Sequence, residues 1–114
     1  MTDTRHEIQA RYRSEVLQWA ASHADPKRAN QLFRSHHAFY KSIRDLPEGR
    51  EALLTLLEDE SLPVRVMAAT HVLPFAPDRG VPVLEEAERA GDVMSIDAKY
   101  TLISFRSGKL NLDW

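Results

Sequence analysis

Apolar residues recur along this chain at intervals of three and four and almost nowhere alternate, so the pattern is helical from end to end. Ile8, Tyr12, Val16, Trp19 and Ala20 share about a third of the circumference of a first helix running from about Thr4 to Ala24. Asp25-Pro26 restarts the chain: Asp25 suits an N-cap, and Pro26 suits a first helical position, where a missing N–H costs nothing. The second helix, to about Asp45, carries Ala29, Leu32, Phe33, His36, Phe39, Tyr40 and Ile43 on one face. Proline in Leu46-Pro47-Glu48-Gly49 closes that hairpin, because it disfavours helix in the residue before it. A third helix, Pro47 to Leu57, is apolar around more than half its surface, as an inner helix must be. Pro63 starts a fourth, apolar nearly all round and ending at Leu73-Pro74, which belongs at the centre of the domain. The fifth begins at Pro77-Asp78-Arg79, carries Val81, Val83, Leu84 and Ala87 on one side, and stops at Gly91. The sixth, about Val93 to Ser107, carries Met94, Ala98, Thr101, Leu102 and Phe105 on one stripe and ends at Gly108. The expectation is an all-α chain of about six helices in antiparallel pairs.

Composition narrows this little further. A length of 114 residues suits one domain with one core. Hydrophobic content of 43% with 28% charge argues for a folded chain rather than a disordered one. The absence of cysteine excludes a disulfide framework, cysteine-ligated metal and thiol chemistry. No signal-like apolar stretch follows Met1, and nowhere do about 18 apolar residues run together, so a cytoplasmic, non-membrane protein is expected. Residues 1–50 hold 9 Lys/Arg against 6 Asp/Glu, and residues 51–114 hold 6 against 11. That mild asymmetry reads chiefly as solvated helix surface.

The stretch Leu56-Leu57-Glu58-Asp59-Glu60-Ser61-Leu62-Pro63-Val64-Arg65-Val66-Met67-Ala68-Ala69 resembles the helix-turn-helix unit of HEAT-like repeats: an apolar helix end, an acidic turn, then proline and a Val-Arg helix. The whole chain also resembles a small bacterial family of HEAT-like domains without assigned function. The matching features are Arg28-Ala29-Asn30 with Leu32-Phe33, Pro47-Glu48-Gly49-Arg50 with Leu53-Leu54, Val64-Arg65, and Leu73-Pro74-Phe75-Ala76-Pro77. The resemblance implies an N-terminal hairpin cap over residues 1–46, a repeat pair over 47–74, a degenerate pair over 77–108 lacking the proline-valine-arginine element, and a tail over 109–114. It implies no catalytic residues.

Chemistry has few footholds. Of the five histidines, His36 falls on the second helix's apolar stripe and His71 among Val64, Met67 and Ala68 of the fourth. Two core histidines with an acid form the one arrangement that could support metal or hydrolytic chemistry, but no H-E-x-x-H or E-x-x-H spacing accompanies them. Glu58-Asp59-Glu60 and Glu85-Glu86 with Glu88 read as capping and surface charge. Arg65 is placed to brace the turn before it by pairing with Asp59. Lys27, Arg28, Arg34, Lys41 and Arg44 would suit nucleic acid, but the aromatics beside them face inward, the pI is near 6.2, and no glycine-rich phosphate loop exists. Catalytic, cofactor and metal residues are accordingly none.

One feature asks for a partner. The sixth helix bears a second apolar stripe, Ile96, Tyr100 and Ile103, where the last helix of a stacked array should be polar. Either the tail Lys109-Leu110-Asn111-Leu112-Asp113-Trp114, with its alternating apolar residues, folds back over that stripe, or a partner or second copy covers it. The expectation is a non-enzymatic protein-interaction module, with Arg44, Arg65, Ile96, Lys99, Tyr100, Ile103 and Trp114 as contact residues. The alternatives are an immunity-type protein neutralising a bacterial effector, and a nucleic-acid-binding or histidine-dependent metal or hydrolytic protein.

Overall fold

Six helices make up the chain in a computed structural model that describes residues 4–114: α1 (Thr4–Ala20), α2 (Pro26–Ile43), α3 (Pro47–Leu56), α4 (Leu62–Val72), α5 (Pro77–Ala90) and α6 (Ser95–Arg106). No strand occurs among the described residues. The all-α reading therefore holds, with element starts and ends within a few residues of those the periodicity predicts. The differences have local causes. α1 stops at Ala20 rather than Ala24 because Ser22 turns its hydroxyl back to the Gln18 carbonyl at 2.7 Å, satisfying a helix-end acceptor in place of another turn. Residues before α6 are held as a turn by the Asp92 carboxylate and carbonyl, which accept from the Val93 and Ser95 amides, so the helix begins at Ser95. At α2 the Asp25 carboxylate accepts from the Arg28 amide at 3.1 Å and Pro26 opens the helix, as the sequence predicts.

Each helix packs on the next across a short connection, and α1 lies at the junction, packed on α2, α3 and α4. α4 in turn packs on α3 and α5, and α5 on α6. The apolar girth of α4 fits this position: Val64, Val66, Met67, Ala68, Ala69, Val72 and Leu73 are all buried. α5 reaches it closely because Gly80 has no side chain. A Cβ there would stand 2.6 Å from the Ala69 carbonyl oxygen and 2.9 Å from Val72 Cγ2. The radius of gyration, 13.4 Å, is that of a single folded domain of this length, about 13 Å.

The turn between α3 and α4 shows how α1 is locked onto the array. Arg65 does brace this turn, but through the main chain: it donates to the Asp59 carbonyl oxygen at 2.7 Å. The Asp59 carboxylate is engaged elsewhere, accepting from Arg13 Nε of α1 at 3.0 Å and from the Ser61 amide at 2.9 Å. The expected Arg65–Asp59 carboxylate pair is thus replaced by an inter-helix pair, since Arg13 approaches from 46 residues away and takes the acid first. Asp59→Ala is expected to cost about 1–2 kcal/mol in urea unfolding, because a half-buried turn loses both its side-chain bond to the Ser61 amide and its tie to α1. An Arg13→Ala variant of equal cost, with little extra loss in the double variant, would assign the effect to the pair.

Candidate functional sites

Three places bring together side chains capable of more than packing. The first is an enclosed aromatic and imidazole cluster between α1, α2 and α4. Tyr12, Tyr40, His36, His37 and His71 are all buried. Tyr12 Oη and His71 Nδ1 share a hydrogen bond of 2.6 Å. The His71 ring stacks on Tyr40 at 3.8 Å and 7°, and Tyr12 meets His36 edge-on at 4.3 Å. His36 Nδ1 lies 2.8 Å from Glu15 Oε1. A carboxylate only accepts, so Nδ1 carries the proton and the Nε2 of neutral His36 is a bare lone pair, buried and without a hydrogen-bond partner.

Burial holds these rings neutral. It pushes His71 well below the usual imidazole range, a displacement deepened by His36 and His37 alongside. Burial also lowers His36, partly offset by the Glu15 bond, and lowers His37 with help from Lys41 and Arg44. The Tyr12 phenol is pushed well up by the same desolvation, with Tyr40 and Glu15 adding to it. His36, His71 and an acid do therefore meet, with ring centroids 5.8 Å apart. They meet in a closed core, not in the open concavity that hydrolysis of an external substrate requires. Among the described residues no group of three or more potential ligands is disposed to hold a metal ion.

The second place is the path of the tail. Residues 109–114 do fold back, but over α2 rather than over α6. The Trp114 ring stacks on His37 at 3.7 Å and 3°, and on Phe33 at 5.8 Å and 16°. Arg44 holds the Asp113 carboxylate at 2.7 Å, donates to the Leu112 carbonyl at 3.2 Å, and stands over the Tyr40 ring at 5.6 Å. Its guanidinium is held more firmly protonated by Tyr40 and Asp113. Leu110 and Leu112 are half-buried against the core. Beneath this strap lies a cavity of about 510 Å³ lined by Tyr40, Arg44, Arg50, Phe75, Phe105 and Leu112.

The third place is the outer face of α6. Ile96 is 64% exposed, Tyr100 61% and Ile103 50%, and Val93 just before the helix is 68% exposed. Lys99 is exposed on the same helix. Of the seven contact residues expected from sequence, four (Ile96, Lys99, Tyr100 and Ile103) thus share one open surface, while Arg44 and Trp114 are joined to each other's neighbourhood through the tail. Arg65 stands apart, engaged with its own turn. Two basic residues considered for nucleic acid, Lys41 and Arg44, are likewise occupied by the tail. What sequence reasoning missed is His37. It sits about 100° round the helix from the middle of the apolar stripe, and Trp114 comes back to stack over it.

Fold and surfaces together define an all-α array of consecutively packed helices strapped by its own tail; among the described residues no helix is long and apolar enough to cross a membrane. No family model matches the chain, and no curated protein matches it. The chain is similar, over 95% of its length and 93% of the other, to the crystal structure of the protein RPA1889 from Rhodopseudomonas palustris CGA009, with a TM-score of 0.84 and 22% identity. At that identity the likeness is one of fold alone.

Proposed function

We propose that this chain is a non-enzymatic, cytoplasmic protein-interaction module of HEAT-like type, and that its working surface is the outer face of α6. The observation that carries the reading is the exposed row Val93, Ile96, Tyr100 and Ile103, left open while the tail lies elsewhere. Within α6 the 4-3 spacing of Ile96, Tyr100 and Ile103 is that of the apolar seam of a helix pair, with Val93 extending it in the turn before, so the surface fits an amphipathic helix of a partner. Lys99 and Asp97 flank the seam on opposite sides. An antiparallel second copy fits less well. Pairing the seam with itself in that sense sets Lys99 beside Lys99 and Asp97 beside Asp97. Like charges in those positions disfavour self-pairing. A heterologous helix with acid opposite Lys99 carries no such penalty.

A photo-crosslinking residue placed at Tyr100 of the full chain tests this in cells. The expected result is one defined heterologous adduct, absent when the same residue replaces Lys27 and absent when Ile96→Asp is added. The purified pair should then bind at least tenfold more weakly with Ile96→Asp, at unchanged melting temperature, as expected when a central apolar anchor of about 1.5–3 kcal/mol is lost. An adduct of twice the chain mass would assign the surface to self-association. No adduct would remove α6 as the working face.

A further inference from the structure

The tail is held by α2 in the way a receptor holds an extended peptide. It leaves α6 through Gly108, whose φ of 73° is readily adopted only by glycine, and runs back as non-helical chain. Leu110 and Leu112, two apart, are half-buried, while Lys109, Asn111 and Asp113 between and beside them are exposed, the alternation of an extended segment laid on a surface. The receptor side supplies main-chain contacts that any sequence could use. Arg44 donates to the Leu112 carbonyl, and Lys41 Nζ reaches the Asp113 and Trp114 carbonyls at 3.3 and 3.5 Å. It also supplies contacts that select a sequence: Arg44 for the acid at position 113, and the His37 and Phe33 rings for the aromatic at 114. Main-chain bonds for affinity with side-chain sites for selectivity is the economy of peptide grooves.

Two further observations show that the groove is not used up by its resident. The Asp113 carboxylate is 78% exposed and Trp114 51% exposed, so both anchors are made at the solvent edge, where each contributes modestly. Beneath the strap the cavity of about 510 Å³ remains, and Arg50 at its rim stands over Phe75, donates from Nε to the Arg44 carbonyl at 2.9 Å, and has as its acid only Asp45 at 3.8 Å. The cavity lining sets Arg44 and Arg50 against Asp45 and the tail's own Asp113, so the wall without the tail is net positive.

We propose that the channel along α2 is a second interaction site, which takes an extended segment of a partner protein with alternating apolar residues followed by an acid and an aromatic, and that residues 109–114 are its tethered competitor. The site lies along α2 and touches α6 only through the inward-facing Phe105, so it is separate from the outer face of α6 and does not rest on that reading. A segment with an additional acid, placed to meet Arg50, displaces the tail. Displacement would uncover His37 and Phe33 together.

The test uses the full chain and a labelled synthetic peptide of residues 108–114. In the wild type the tethered tail competes at an effective concentration of about millimolar, so labelled peptide binds weakly. In an Asp113→Lys, Trp114→Ala chain the groove is vacated, and the peptide is expected to bind at least tenfold more tightly by fluorescence anisotropy. Adding Arg44→Glu should abolish that gain. Amide exchange over 109–113 reports whether the tail has been released. Persistent protection there would overturn the assignment of the two anchors, and a released tail without peptide binding, or equal binding to both chains, would overturn the groove. Fluorine NMR of 5-fluorotryptophan chains provides a readout free of tail variants. Excess unlabelled peptide carrying an added acid should move the Trp114 signal toward its solvent-exposed position, and an unmoved signal at millimolar peptide would count against the proposal as decisively.

Discussion

Lowering the pH from about 6.5 to about 5 is expected to destabilise this protein steeply, before its carboxylates titrate. The sign follows from the three buried imidazoles. His36, His37 and His71 all bind protons less readily in the folded chain than in the unfolded one, where imidazole titrates near about 6.5. As pH falls below that value the unfolded state gains protons that the folded state refuses, so stability is fully present above it and is lost below. Each such histidine contributes a slope of up to about 1.4 kcal/mol per pH unit while its two states differ in protonation, and the effect is largest for His71, the most displaced of the three. Glu15 works against the effect at His36, whereas Lys41 and Arg44 reinforce it at His37. Urea unfolding across this range checks the expectation. His71→Phe, which keeps the stack on Tyr40, should be less stable at neutral pH and show a shallower slope, so that the two curves converge in acid. A flat wild-type profile, or an unchanged slope in the variant, would mean that the cluster admits protons without unfolding.

Tyr12→Ala is expected to cost about 3–5 kcal/mol, the range for emptying a fully buried aromatic site. Tyr12 lies edge-on against the rings of both His36 and His71 and comes from the helix on which α2, α3 and α4 all converge, so its loss opens the centre of the molecule. Tyr12→Phe separates packing from hydrogen bonding. It keeps the ring and removes only the partner of His71 Nδ1, for an expected cost of about 1–3 kcal/mol. If the phenylalanine variant matched the alanine one, the hydrogen bond and not the ring would be the principal tie. An alanine variant within about 1 kcal/mol of wild type would place the main core elsewhere.

How much of this was legible beforehand differs by feature. The helices were legible because their signals are local. Proline at first helical positions, Asp25 as cap, Gly91 and Gly108 as stops, and the 3.6-residue spacing of Ile8, Tyr12 and Val16 each act within one or two turns. The same spacing separated the buried stripe of α6, Met94, Ala98 and Leu102, from the exposed one, Ile96, Tyr100 and Ile103. The candidate sites were legible only in part. His36 and His71 stood out as histidines on apolar faces, but nothing in their spacing placed Glu15 beside the first or Tyr12 beside the second, because those pairs span 21 and 59 residues. Asp59 likewise pairs with Arg13 rather than with Arg65 nearby, whose guanidinium turns to the main chain.

The destination of the tail was beyond reach of the sequence for a related reason. Leu110 and Leu112 announce an extended segment seeking apolar cover, and both α6 and α2 present apolar surface. Periodicity determines which face of a helix is apolar, since that depends only on the 100° step between neighbours. It carries no information on which of two such faces lies within reach of a segment leaving Gly108. The packing of α1 against α2, α3 and α4 brings α2 round to meet the tail, and that decision buries His37, engages Arg44 with Asp113, and leaves the outer face of α6 open. The sequence by itself determined six helices and, to within a few residues, their limits; the tertiary structure alone decided which apolar faces are covered, because cover depends on distances through space that residue spacing does not encode.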